Sequence, residues 1–123
     1  MEKQPTILCV DDYPSLLRTL AMALAGLGFE VLTASNLAEA LTLARENHID
    51  AVLLEYRLCP GCDLPGECAA NRIKAFRPDT KVLVWSTDDR PIRQPPPCAA
   101  ATFTKPMDPV ELVERIRTLL AGD

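Results

Sequence analysis

At 123 residues, with 48% hydrophobic and 24% charged side chains, the chain has the size and composition of one globular domain, which excludes a disordered tail and two full domains. Thirteen basic against seventeen acidic side chains give a formal net charge of −4, so a surface built to embrace phosphate backbones, and with it direct nucleic-acid binding, is not expected. The apolar runs are too short to span a bilayer and Met1 to Pro5 lacks the pattern of a signal peptide; no membrane partner is expected, and the cytoplasm is the expected compartment.

The first apolar run, Thr6 to Val10, is strand-sized. Helical spacing follows in Leu16, Leu20, Leu24 and Leu27, then a second strand over Phe29 to Ala34 and a second helix carrying Leu37, Leu41 and Ala44. Third and fourth strands are expected at Ala51 to Leu54 and Lys81 to Trp85, and a fifth at Ala101 to Thr104. The last helix carries Leu112, Val113, Ile116, Leu119 and Leu120, with Asp108 as its N-cap and Pro109 at its first position. Strands that are continuously apolar and alternate with helices predict an α/β fold, a parallel sheet covered on both faces. Between the fourth and fifth strands, Asp88 to Pro97 holds four prolines in ten residues, which predicts an irregular segment with at most a short turn where a helix should stand.

Ligand chemistry on such a sheet gathers at the carboxyl ends of the strands. There the sequence places Asp11 and Asp12 after the first strand, Glu55 after the third, Ser86 and Thr87 after the fourth, and Lys105 with Pro106 after the fifth. Carboxylates brought together repel, and a hard divalent cation such as Mg²⁺, a nearby ammonium or protonation of one member relieves them. A metal, a lysine and a serine hydroxyl around one mouth suit a phosphoryl group.

Ile7-Leu-Cys-Val-Asp-Asp12, Leu53-Leu-Glu-Tyr-Arg-Leu58, Val82-Leu-Val-Trp-Ser86 and Phe103-Thr-Lys-Pro106, in order along nearly the whole chain, resemble the motifs of response-regulator receiver domains of two-component systems. The resemblance implies a flavodoxin-like three-layer sandwich with a five-stranded parallel sheet in the order 2-1-3-4-5, a single receiver-like domain over 1–123 with no effector domain in this chain, and a histidine kinase or a downstream signalling protein as partner. Carried over by position, Asp11, Asp12, Glu55 and the backbone carbonyl of Arg57 would hold Mg²⁺, Ser86 would be the switch hydroxyl and Lys105 the phosphate-pairing lysine. The chain is expected to be a signalling module rather than an enzyme, monomeric or weakly dimeric.

Four departures set this chain apart from the family pattern. The acceptor position holds Glu55 instead of aspartate; the extra methylene moves the carboxylate by about 1.5 Å, and misplacement by about 1 Å can cost on the order of a hundredfold where catalysis is positioning. Thr102 stands at the switch-aromatic position, while Phe103 takes the neighbouring inward-facing site. The proline-rich segment replaces the family's fourth helix, and the loop Arg57 to Gly66, with Cys59-Pro-Gly-Cys62, is longer than usual. Glu55 then has two readings: partial mimicry of a phosphoryl group, with about one negative charge against nearly two, or a soluble acidic rim left after switching was lost.

The five cysteines cannot all pair within one chain. Cys59 and Cys62 have redox-pair or half-zinc-site spacing, and Cys68 and Cys98 could join them if the two altered loops adjoin; ordinary reduced thiols are the simpler expectation, with zinc the less favoured one. Cys9 is expected as a buried small hydrophobe, and His48 as a solvated residue at the far end of the sheet. The favoured function is a phosphorylation-independent receiver that binds protein partners. The alternatives are an Mg²⁺-dependent phospho-accepting receiver and a cysteine-based redox or zinc sensor.

Overall fold

The computed structural model describes residues 4–57, 65–86, 93, 98–105 and 107–121, with the side chains of 65–68 excepted. Strands β1 (Thr6–Val10), β2 (Glu30–Ala34), β3 (Ala51–Glu55), β4 (Lys81–Ser86) and β5 (Ala101–Thr104) form one parallel sheet in the order β2-β1-β3-β4-β5. The described helices are α1 (Pro14–Gly26), α2 (Leu37–Glu46), α3 (Pro65–Phe76) and α4 (Pro109–Ala121). This is the flavodoxin-like three-layer sandwich the sequence predicts.

Alternation along the central strands divides the core in two. Leu8, Val10, Val52, Leu54, Val82 and Val84 face Ala40 and Ala44 of α2 and Ala69, Ala70 and Ile73 of α3. Ile7, Cys9, Leu53, Leu83, Trp85 and Phe103 face Leu17, Leu20 and Leu24 of α1 and Leu112 and Ile116 of α4. Strands buried on both faces read as unbroken apolar runs for this reason. β2 differs because it lies at the sheet edge, where Glu30 and Thr33 are exposed.

Local chemistry sets the helix ends. Asn36 accepts the Glu39 N–H at 2.8 Å, and Glu39 in turn accepts from the backbone N–H (2.7 Å) and hydroxyl (3.0 Å) of Ser35, closing the start of α2 from both sides. Those bonds, the backbone one foremost, hold the Glu39 carboxyl below its ordinary value. The Asp108 side chain accepts the Val110 N–H at 3.0 Å, and Pro109 opens α4. Gly28 turns the chain after α1 at φ 103°, and a Cβ there would lie 2.7 Å from the Arg117 guanidinium, which donates to the Leu27 carbonyl.

Three boundaries correct the sequence reading. Phe29 is buried but precedes β2, because its N–H is bound back to the Leu24 carbonyl at 3.2 Å and the ladder begins with Glu30 donating to Pro5 at 2.9 Å. β3 and β4 each run one residue further than expected, to Glu55 and Ser86: Tyr56 donates to Trp85 at 2.9 Å and Lys105 donates to Ser86 at 2.8 Å. Of the proline-rich stretch Asp88 to Pro97 only Arg93 is described, with helical backbone, so the expectation of an irregular segment lies outside the described residues.

Candidate functional site

Parallel strands bring their carboxyl ends to one rim. Asp11, one residue past β1, is 2% exposed and anchored by its N–H to the Ala34 carbonyl at 3.1 Å. Glu55 closes β3, Ser86 closes β4 and is buried, and Lys105 follows β5. The Lys105 ammonium lies between the two acids: it donates to Asp11 Oδ2 at 2.6 Å and to Glu55 Oε1. The other carboxylate oxygens are used locally, Asp11 Oδ1 accepting the Tyr13 N–H at 3.0 Å and Glu55 Oε2 the Arg57 N–H at 2.8 Å. Asp11 therefore both holds the lysine and fixes the entry into α1, whose N-cap Tyr13 has no side-chain cap bond.

The three side chains are 10%, 3% and 11% exposed for Lys105, Asp11 and Glu55, so their interaction is little screened. Burial alone would lower the Lys105 pKa, but hydrogen bonds and charge from Asp11 and Glu55 outweigh it and hold the ammonium above its ordinary 10.5. Beneath it the Trp85 ring lies 4.8 Å from Nζ, a cation–π contact. The cluster carries one positive and two negative charges, a net of −1.

The other sequence candidates divide. Asp12 is exposed, and among the described residues it makes no ion pair with Lys105. Thr102 is half-buried on β5, whereas Phe103 turns into the core opposite Trp85. His48 is exposed at the opposite end of the sheet, 3.2 Å from Asp50. Cys9 is buried in β1. Cys98 is half-buried, with its Sγ 3.1 Å from Asn71 Oδ1 of α3. Cys68 is on α3 with its side chain outside the described part; Cys59 and Cys62 lie wholly outside the described residues.

Among the described residues no three His, Cys, Asp or Glu side chains come together as metal ligands. Each of the four oxygens of Asp11 and Glu55 already accepts an N–H, and the lysine occupies the space between the acids. Each of those oxygens keeps a second lone pair, so the carboxylates of Asp11 and Glu55 are the groups on this rim that would hold a divalent cation beside Lys105.

Trp85 was not among the sequence candidates. It sits beside Ser86 at a strand end and is the chain's single tryptophan, but its place in an apolar run makes it read as core alone. Its indole N–H is the one buried side-chain polar atom among the described residues with no hydrogen-bond partner.

Residues 7–117 match the response regulator receiver domain family. The transcriptional regulatory protein PrrA of Mycobacterium tuberculosis is 37% identical over 120 residues, 94% of this chain and 50% of PrrA. The DNA-binding response regulator MtrA of Mycolicibacterium smegmatis is 34% identical over 119 residues, 93% of this chain and 50% of MtrA. A response regulator from Thermotoga maritima superposes with a TM-score of 0.83 at 29% identity, covering 98% of this chain and 100% of that one. The chain belongs to the response-regulator receiver domains, the modules of two-component signalling that interact with histidine kinases and as a family bind Mg²⁺ at the acceptor site. It spans about half the length of the curated relatives it matches. No helix among the described residues is long and apolar enough to cross a membrane.

Proposed function

We propose that this receiver works through protein contacts without phosphorylation, Glu55 standing where the family carries its acceptor aspartate. The observation that carries the reading is the closed triad: Lys105, which in a phospho-accepting receiver would neutralise an incoming phosphoryl group, is already bound to both Asp11 and Glu55. An incoming group would have to break a buried ion pair, and the acid it met would be displaced by a methylene from the family position. Ser86 would then be a buried rim residue rather than a switch hydroxyl, and Thr102 would leave the usual aromatic rotation without a rotor. The partner would be a histidine kinase or a downstream signalling protein that reads a fixed surface.

Incubation with acetyl phosphate and Mg²⁺, followed by intact mass, tests this. The expected result is no added phosphoryl group on the wild type under conditions that modify a phospho-accepting receiver run in parallel. A gain of one phosphoryl group on the wild-type chain overturns it in favour of the phospho-accepting reading.

A further inference from the structure

β2 lies at an edge of the sheet with β1 as its one strand partner, and it carries neither the lysine nor the proline that commonly blunts such an edge. Glu30 donates to Pro5 at 2.9 Å and Ala34 accepts from Asp11 at 3.1 Å, so residues 30, 32 and 34 turn their peptide groups toward β1. By alternation Val31 and Thr33 turn theirs outward, where no described residue bonds them. Two open grooves of about 440 and 330 Å³ flank the strand, one beneath α2 and one beneath α1, and both are lined by exposed Thr33.

The grooves differ in chemistry. On the α2 side Glu39 lines the groove, Glu46 stands two turns further along the same helix face, and Glu30 projects to the sheet face on which Leu32 and Ala34 pack; all three acids are exposed. The α1 side is mainly apolar, with Leu17, Ala21 and the 71% exposed Met22, and its charge is the cation Arg18.

We infer that the β2 edge takes an extended segment of a partner protein as an added strand, one in which basic and aliphatic side chains alternate. Main-chain bonds to Val31 and Thr33 hold the segment, and its side chains fall alternately to the two grooves. Charge sets the pattern: the basic side chains meet Glu30, Glu39 and Glu46, while the aliphatic ones meet Ala21 and Met22, where Arg18 repels a cation. A second copy of this chain is a poorer occupant, because two β2 edges paired antiparallel about a two-fold axis set α2 against α2 and bring like charges together. The surface does not depend on whether the wild-type chain accepts a phosphoryl group, and the two are tested by different measurements.

The probe is a capped peptide, as long as β2, in which lysine and valine alternate, titrated into the ¹⁵N-labelled chain. Saturable movement of the Val31 and Thr33 amide resonances is expected, and a peptide with glutamate in place of lysine should bind at least severalfold more weakly. Thr33→Pro removes an outward N–H that has no place in the ladder to β1, so the fold should stand while binding is lost. Glu30→Gln with Glu46→Gln takes two exposed carboxylates from the α2 side and should weaken binding about threefold. No saturable shift at Val31 and Thr33 in the folded wild type overturns the site. Unchanged affinity in folded Thr33→Pro overturns strand addition, and equal affinity for the glutamate peptide overturns the basic partner. Dimerisation of the chain alone in sedimentation velocity, lost in Thr33→Pro, overturns the choice of occupant in favour of a second copy.

Discussion

The two ends of the sheet handle charge in opposite ways. At the amino end the side chains that tie the elements together are matched mainly to the backbone: Arg77 donates to the carbonyls of Ala44 at 2.7 Å and Arg45 at 3.0 Å, Lys74 to Pro78 at 2.6 Å and Thr80 at 3.0 Å, Thr80 to Ile49 at 2.7 Å, and Asp50 accepts the Thr6 N–H at 2.8 Å while also contacting exposed His48. At the carboxyl end the lysine is matched to side-chain carboxylates, themselves buried. Carbonyl partners are fixed by the fold and carry no net charge, so the amino end tolerates change locally. Carboxylate partners each cost desolvation and depend on one ammonium, so the carboxyl end stands or falls as a unit.

The largest expected effect is therefore Lys105→Met. It leaves two buried carboxylates without a cation, and stability in urea should fall by about 3–5 kcal/mol. Replacing all three members, Lys105→Met with Asp11→Asn and Glu55→Gln, should recover much of that loss, since the charges go together; no recovery would mean the lysine acts by packing instead. The pH dependence follows from the raised Lys105 pKa. A folded pKa above the unfolded one gives stability that is fully present below the ordinary 10.5 and lost as pH climbs through the raised value, and only the wild type has this contribution to lose. Measured as the gap between the two proteins, the contribution should hold from neutral pH up to about 10 and shrink above it.

At the amino end Arg77→Ala removes two hydrogen bonds from a charged donor and should cost about 1–3 kcal/mol, with no coupling to Lys105→Met in a double-mutant cycle. Thr80→Val takes one buried hydroxyl from the Ile49 carbonyl and should cost about 1 kcal/mol. A coupling comparable to either single effect would erase the distinction between the two ends.

Strand order and layering were legible because the three central strands are apolar runs, and the two edge strands, β2 and β5, kept enough apolar residues to be found. The rim's membership was legible from strand ends, but its pairing was not. Adjacent Asp11 and Asp12 are equivalent in sequence; only the sheet decides that the first turns in to Lys105 while the second faces water. Glu55 and Ser86 read as loop residues because polar side chains end an apolar run, although their backbones complete the ladder to Tyr56 and Lys105. Trp85 shows the reverse failure: an aromatic in an apolar run has no sequence mark that it will lie beneath an ammonium with its N–H unpaired.

The smallest expected effect is a reaction that does not occur. Cys9 sits in β1 two residues before Asp11, and burial first, then the Asp11 charge, push its thiol from 9.0 up to about 12. At a given pH below both values its thiolate fraction is lower on the order of a thousandfold than that of an ordinary thiol, and the strand also denies access to the sulfur. Mass spectrometry after brief iodoacetamide treatment of the native protein should find Cys9 unmodified, and full alkylation after unfolding in urea. Half-buried Cys98, on the path into β5, should react before Cys9 in the native state. Early labelling of Cys9 would mean that the carboxyl end opens far more often than a buried ion triad allows, and that its charges are held less as a unit than the contrast with the amino end requires.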